Sequence, residues 1–414
     1  MARKSKLANV WLDDVRFGDP LYIGNLIIPE HSDTPAAFSY SQAWLTEANA
    51  FAIDPYLPLV AGPQYPVKGT LAGIFRDTAP DRWGRVLIER REALLAIRES
   101  RANRTLFDLD FLLAVQDVSR MGGLRFQDEQ EEFISSGEFA VPPVSKLREL
   151  QALAARIQDV GIESLPEYEQ WLAMLMAPGT SLGGARPKAS FEDTDGSLWI
   201  AKFPAQDDRY DIGKWEYLAH RLARNSGIAV PNSRLEQLGG QYHTFCVNRF
   251  DRVGHRRRMY ASAMTMTGKQ DGEPSSYLDI AQVITDQGAR GHVDFDLAEL
   301  FRRLMFNVAI GNRDDHLRNH GFLREESGWR LAPAFDMNPN PAKREHALDL
   351  GAKSTPDTAL DAAISTHEFY RLTDSEAALI LDEVLGAVHV WRNEAKQLHF
   401  STAEIRRMES VFKV

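Results

Sequence analysis

Ile310-Gly311-Asn312-Arg313-Asp314-Asp315-His316-Leu317-Arg318-Asn319-His320 follows directly on a run in which Leu297, Leu300, Phe301, Leu304, Met305 and Val308 recur at helical spacing. Asn, Asp, Asp, His, Asn and His fall within positions 312–320, a density of polar chemistry that a plain connecting loop does not need. Asn319 lies five positions after Asp314. A carboxylate followed by an amide at that spacing is the pattern of a phosphotransferase catalytic loop. There the Asp accepts the proton of the substrate hydroxyl and the Asn oxygen binds magnesium. Two readings compete on these residues alone. One is Asx-type turn and cap chemistry. The other is a metal-dependent hydrolase cluster of Asp314, Asp315 and His316.

Three other segments weigh the choice. Thr180 to Lys188 reads TSLGGARPK, in which small residues let the backbone approach a ligand and successive N–H groups can form an anion nest. Arg186 and Lys188 add positive charge. The segment fits neither the Walker pattern nor the dinucleotide fingerprint, and by itself a Gly-Gly turn between strands accounts for it. Leu198-Trp199-Ile200-Ala201-Lys202-Phe203 predicts a strand whose two-residue period puts Lys202 on the face of Leu198 and Ile200. A lysine there needs an anionic partner, with Glu216 or a phosphate as candidates, unless it simply snorkels to water from an edge strand. Leu331-Ala332-Pro333-Ala334-Phe335-Asp336-Met337 ends an apolar segment on an acid beside a phenylalanine, like a metal-holding Asp-Phe-Gly position with Met in place of Gly. Gly-rich loop, strand lysine, helix glutamate, Asp…Asn loop and Phe-Asp stand in the order of a kinase-like nucleotide site. Each is equivocal; the ordered set is specific.

The rest of the chain sets bounds. Its 414 residues suffice for two or three domains. Acids outnumber Lys and Arg by 58 to 48, which argues against a general nucleic-acid coat. One cysteine, Cys246, excludes an intrachain disulfide and a Cys-rich metal site, as in a reducing cytoplasm. The basic start MARKSKLANVWLDDV has no apolar run behind it, so a secretory leader and a membrane span are not expected. Val10, Trp11, Tyr22, Ile23 and Leu26 to Ile28 predict an antiparallel meander. Trp83, Val86, Leu87, Leu94, Leu95 and Ile97 predict one apolar helix stripe, and Arg82 to Arg104 bring an arginine cluster that reads either as a solvated face neutralised by Glu89, Glu92 and Glu99 or as a docking surface for nucleic acid or an acidic partner. The acidic QDEQEEF run before Pro142-Pro143 marks a boundary. Helices are predicted over 144–157, 168–176 and 213–224, and the pattern becomes helical from about Asp296. Thr373-x-x-Glu376 and Ser401-x-x-Glu404 read as capping boxes.

With these motifs in place, the chain resembles the HipA family of protein kinases, the toxins of bacterial toxin–antitoxin pairs, over nearly its whole length. Phe38-Ser39-Tyr40, Leu57-Pro58, Asp77 to Arg85 and Gly122 to Phe126 are similar to the family's N-terminal landmarks. Ser181 to Lys188 resembles its S-x-x-G-A-x-x-K loop over the nucleotide phosphates, and Lys202 its phosphate-binding lysine. Asn248-Arg249-Phe250-Asp251-Arg252 resembles the hinge run E-R-F-D-R, with Asn in place of Glu. The resemblance implies an α+β, protein-kinase-like two-lobe fold: an N-terminal β-rich subdomain (1–140), a β-containing N-lobe (141–252) and an all-helical C-lobe (253–414). It implies ATP and Mg2+ as cofactors, Asp314 as catalytic base, and Asn319 and Asp336 as metal ligands. Nucleotide contacts would come from Ser181, Gly183, Gly184, Ala185, Arg186, Lys188, Lys202, Asn248, Phe250, His316, Asn319 and Asp336. It further implies serine/threonine specificity, self-phosphorylation at Ser181, a protein substrate in the translation apparatus and a cytoplasmic location. The implied partner is a helix-turn-helix antitoxin of HipB type, with DNA reached only through it. The rival reading is a kinase-fold binding protein that acts through its complex with such a repressor.

Overall fold

Alternation of apolar residues in the first forty positions produces the predicted meander. In the computed structural model, which describes residues 6–29, 34–128, 132–134, 141–157, 159, 161–165, 167–176, 186–352, 355 and 357–413, strands β1 (Lys6–Leu12), β2 (Leu21–Ile28) and β3 (Ala37–Tyr40) pair antiparallel in sequence. β4 (Leu124–Gln127) closes on the other edge of β1, with Phe126 opposite Val10. Val10, Leu12, Ile23, Leu26, Phe38 and Phe126 form the buried side.

The chain divides into two compact units, Met1–Asp207 with Asp251–Ala261, and Asp208–Phe250 with Ser262–Val414. The first contains the meander, the Arg82–Arg98 helix, the Leu147–Arg156 and Tyr168–Met176 helices, and the hairpin of β5 (Lys188–Glu192) and β6 (Leu198–Lys202). Asp81 starts the Arg82–Arg98 helix by accepting from Gly84 N at 2.9 Å, the job of an N-cap. Trp83, Leu87, Ile88 and Ala96 are buried, whereas Ile97, placed on the apolar stripe by spacing, is 73% exposed. The buried face instead includes Glu92, whose carboxylate takes Arg101 at 2.5 Å and Arg104 at 3.4 Å. Arg85 and Arg98 likewise meet Asp108 and Glu169. These arginines are thus tied to neighbouring acids, as the charge pattern allows.

The second unit carries the Ile212–Asn225 helix, the hairpin of β7 (Ser233–Glu236) and β8 (Thr244–Asn248), and a helical remainder. Cys246 is buried in β8. The Val293–Ala309 helix buries all six apolar residues whose spacing predicts it. Thr373 and Ser401 form reciprocal capping boxes with Glu376 and Glu404, as expected. The helical stretch also contains a hairpin of Gly321–Glu325 with Gly328–Leu331, turned by two residues. Glycine is required at 328, since a Cβ there would stand 2.5 Å from the Gly288 carbonyl oxygen. Strands this short leave a weak signal between helices.

Candidate active site

The Asp314 loop is fastened before it begins. The chain leaves the Val293–Ala309 helix through Gly311, whose φ of 63° and close approach to Val411 suit only glycine. Asn312 then turns back on the helix, its N–H donating to Asn307 O at 2.8 Å and its Nδ2 to Asn307 Oδ1 at 3.1 Å. Asp315 is buried, and three donors converge on its Oδ2: the Tyr277 hydroxyl, Asn307 Nδ2 at 3.1 Å and His320 Nε2 at 2.8 Å. Burial alone would raise the Asp315 carboxyl. The charge and hydrogen bond of His320, the Tyr277 hydroxyl and the charge of His316 outweigh it and hold the group below the usual carboxylate range. The same burial, reinforced by the Asp315 charge, pushes the Tyr277 hydroxyl well up.

Asp314, one position earlier, has the opposite surroundings. Its side chain is 57% exposed and its Oδ1 is ion-paired with Lys343 Nζ. Asn319 sits in a short 3-10 turn, Leu317–Asn319, with its N–H on His316 O at 2.8 Å. Asn319 is buried, and its Oδ1 has no hydrogen-bond partner among the described residues; the same holds for Nδ1 of His316 and of His320. A buried amide oxygen without a donor costs free energy unless something electropositive meets it. The segment to Asp336 leaves the second hairpin, held by Ala332 N to Gly321 O and Ala334 N to Ala229 O, both 2.8 Å. Arg303 adds a bond to the Ala332 carbonyl at 2.8 Å. Asp336 has φ +59°, a left-handed conformation that non-glycine residues adopt mainly where function or local bonding holds them. Beside it, Phe335 stacks on Phe250, ring centroids 5.4 Å apart and 28° between planes. Within this unit the structure therefore brings Asp314, His316 and Asn319 onto one loop, and the Phe250 and Phe335 segments against each other.

The other candidates lie in the first unit or flank the hinge run. Ser181, Gly183, Gly184 and Ala185 fall outside the described residues. Arg186 donates to Phe203 O at 3.3 Å. Lys188 is buried, with Nζ on Asp81 Oδ2 at 2.6 Å, and the Trp83 indole donates to its carbonyl at 3.1 Å. Lys202 is half-buried and directly opposite Lys188 in the β5–β6 register. Asn248 and Phe250 are half-buried at the end of β8, and Asn248 N donates to Asn232 O at 2.8 Å. The Asp-Arg of the hinge run does a different job: Asp251 accepts from Gly122 N at 2.8 Å and from Arg252 at 2.5 Å, and Arg252 donates to Arg120 O at 2.7 Å. These two residues hold the Gly122-Gly123 turn. Sequence reasoning assigned no role to Tyr277, Asn307, His320 or Lys343; Tyr277 and Lys343 lie 38 and 29 positions from the aspartates they meet, and of the two nearer residues only His320 stood in the polar crowding at 312–320.

The chain is a kinase-like protein of mixed α/β, two-lobe fold, with an Asp…Asn loop and a strained Phe-Asp turn in one unit. The HipA-like C-terminal domain family matches residues 180–391, and the chain belongs to that family. The candidate kinase Y4mE of Sinorhizobium fredii is 25% identical over 373 residues, covering 80% of this chain and 77% of Y4mE. The serine/threonine-protein kinase toxin HipA of Shewanella oneidensis is 24% identical over 231 residues, 48% of this chain and 52% of the toxin. Over nearly the full chain the fold matches a chain in the Shewanella oneidensis MR-1 complex of HipA, HipB and operator DNA, with TM-score 0.67 and 18% identity, covering 97% of this chain and 94% of that one. These relatives place the chain among kinase-like enzymes. Among the described residues no group of three His, Cys, Asp or Glu side chains is arranged to hold a metal ion, and no helix is long and apolar enough to cross a membrane.

Proposed function

We propose that the chain is an ATP- and magnesium-dependent serine/threonine protein kinase, with Asp314 as the base that orients the substrate hydroxyl and takes its proton. The observation that carries this reading is the buried Asn319 Oδ1, without a donor among the described residues, five residues after an exposed carboxylate. An unpartnered hard oxygen fits a magnesium ligand, and the Asp336 carboxylate supplies the charge that goes with it. Bound there, magnesium would neutralise charge on the nucleotide phosphates. The chain's own residues do the rest. Lys202 and Arg186, with the N–H groups of the Ser181 to Ala185 segment, hold the phosphates. Backbone and rings around Asn248 and Phe250 take the adenine. His316 presents a ring nitrogen from the same loop as the base. Asp315 keeps that loop in shape by binding Tyr277, Asn307 and His320, so that Asp314 is positioned before substrate arrives. Phosphorylation of Ser181 would add about −1.5 to −2 charges beside the phosphates and weaken nucleotide binding.

Asp314→Asn tests the assignment. It should lower phosphoryl transfer from γ-labelled ATP by about 10²-fold or more, with nucleotide binding retained; a variant as fast as wild type would remove Asp314 from the role. We further propose a helix-turn-helix antitoxin partner of HipB type, DNA being reached through it, and a protein of the translation apparatus as substrate. The HipA–HipB–DNA assembly of the structural relative supports the partner. Co-purification of this chain with a small DNA-binding protein encoded beside it is the expected result, and separate elution of the two at micromolar concentration would refute it.

A further inference from the structure

The notable feature around Asp314 is the way Lys343, its one ionic partner among the described residues, is built in. Lys343 lies on the segment after Asp336, and that segment is fixed at its backbone. Asn340 N donates to Gly311 O at 3.0 Å, and Asn340 Oδ1 accepts from Ala342 N at 2.9 Å and Lys343 N at 3.2 Å, an Asx turn. Arg313, buried and adjacent to Asp314, donates to Lys343 O at 2.9 Å and Asn340 O at 3.4 Å, and its own carbonyl accepts from Ala347 N at 3.2 Å. The catalytic loop therefore fixes the backbone of the residue whose ammonium returns to the next position of that loop. Lys343 occupies Oδ1 of Asp314, and among the described residues Oδ2 has no hydrogen-bond or ionic partner. An aspartate 57% exposed would otherwise sample several rotamers.

We infer that Lys343 is the positioning residue of the reaction: it holds one oxygen of Asp314 so that the other meets the substrate hydroxyl. The inference rests on the kinase reading and on Asp314 as its base. Both side chains are substantially exposed, at 47% and 57%, so the pair adds little to stability and its loss does not endanger folding.

The test follows self-phosphorylation of the full chain with magnesium and γ-labelled ATP, in wild type, Lys343→Ala, Lys343→Arg and Asp314→Asn. Misplacing a reacting group by about an ångström costs on the order of a hundredfold. Lys343→Ala should therefore lower the maximal rate about 10- to 100-fold while the half-saturating magnesium-ATP concentration stays within about twofold, a split that loss of a phosphate contact would not give. Lys343→Arg, which keeps a cation of similar reach, should recover most of the rate. A Lys343→Ala rate equal to wild type, or above it as for a brake, overturns the inference. If Asp314→Asn is inactive in that case, the kinase reading stands and the inference alone fails. If Asp314→Asn is as active as wild type, the reading falls and takes the inference with it.

Discussion

Replacing Asp81 by Asn isolates a buried charge pair that ties the start of the Arg82–Arg98 helix to β5. Asp81 and Lys188 side chains are 4% and 3% exposed, with Nζ 2.6 Å from Oδ2. The amide keeps the helix cap, because Asn and Asp cap about equally and the Gly84 N–H still has an oxygen to meet. What is lost is the negative charge facing a buried ammonium. Removing one partner of such a pair costs about 3–5 kcal/mol, because the buried ammonium loses its carboxylate. For a unit of this size each kcal/mol moves the thermal midpoint by roughly 2–4 °C, so Asp81→Asn should lower it by roughly 6–20 °C. Lys188→Met should cost a comparable amount. The double variant removes both charges of the pair and should recover most of the loss, since groups in direct contact are strongly non-additive. Calorimetry or circular dichroism on the four proteins gives the cycle. An Asp81→Asn midpoint within about 2 °C of wild type, or a double variant that is the sum of the singles, would refute the reasoning.

Asp54 gives a pH signature in the same unit. Burial pushes its carboxyl up to about 6, against the hydrogen bonds from Tyr56 and Ile74 N–H and with the charge of Asp77 adding to the rise. A raised folded value means the contribution is fully present below the unfolded value of 3.8 and is lost as pH climbs to about 6. The stability of Asp54→Asn relative to wild type should therefore improve by roughly 2 kcal/mol between pH 4 and pH 7; a constant difference in urea titrations would refute the shift. At Asp336, φ +59° favours glycine over alanine. Asp336→Gly should be more stable than Asp336→Ala by about 1 kcal/mol, while both lose magnesium-dependent ATP binding by titration calorimetry. Equal stabilities would contradict the backbone assignment.

What the sequence made legible was local. The Val293–Ala309 helix, the Thr373 and Ser401 caps and the Asp314…Asn319 spacing are all set within a few residues, where period and side-chain reach decide the outcome. What it hid depends on distant partners. Lys188 reads as one more cation of a phosphate loop, yet its partner Asp81 is 107 positions away. Asp251 belongs to a run expected at the adenine, yet its carboxylate holds Gly122, 129 positions back. Ile97 matches the apolar spacing of its helix, but Glu92 holds the buried face because Arg101 and Arg104, beyond the helix end, neutralise it. No periodicity reports such pairings, because nothing in the local chain distinguishes a charge with a distant partner from one in water.

Asp314 and Asp315 show where the physics divides two identical side chains. On the page of the sequence either could begin the motif, and both could serve a hydrolase cluster with His316. In the fold, Asp315 is enclosed and its Oδ2 already accepts from an O–H and two N–H groups, donors that a cation would have to displace. Its depressed pKa keeps it an acceptor for those donors. That oxygen is committed to architecture: Oδ2 cannot accept a substrate proton without releasing Tyr277, Asn307 or His320, and the loop with them. Asp314 gives up nothing of that kind, having one exposed ionic partner and a free oxygen among the described residues. Counting from the available carboxylate rather than from its neighbour makes the interval to Asn319 five residues and not four, which is the spacing of the protein-kinase catalytic loop. The loop thus sets an enclosed, bonded carboxylate and an open one on adjacent residues.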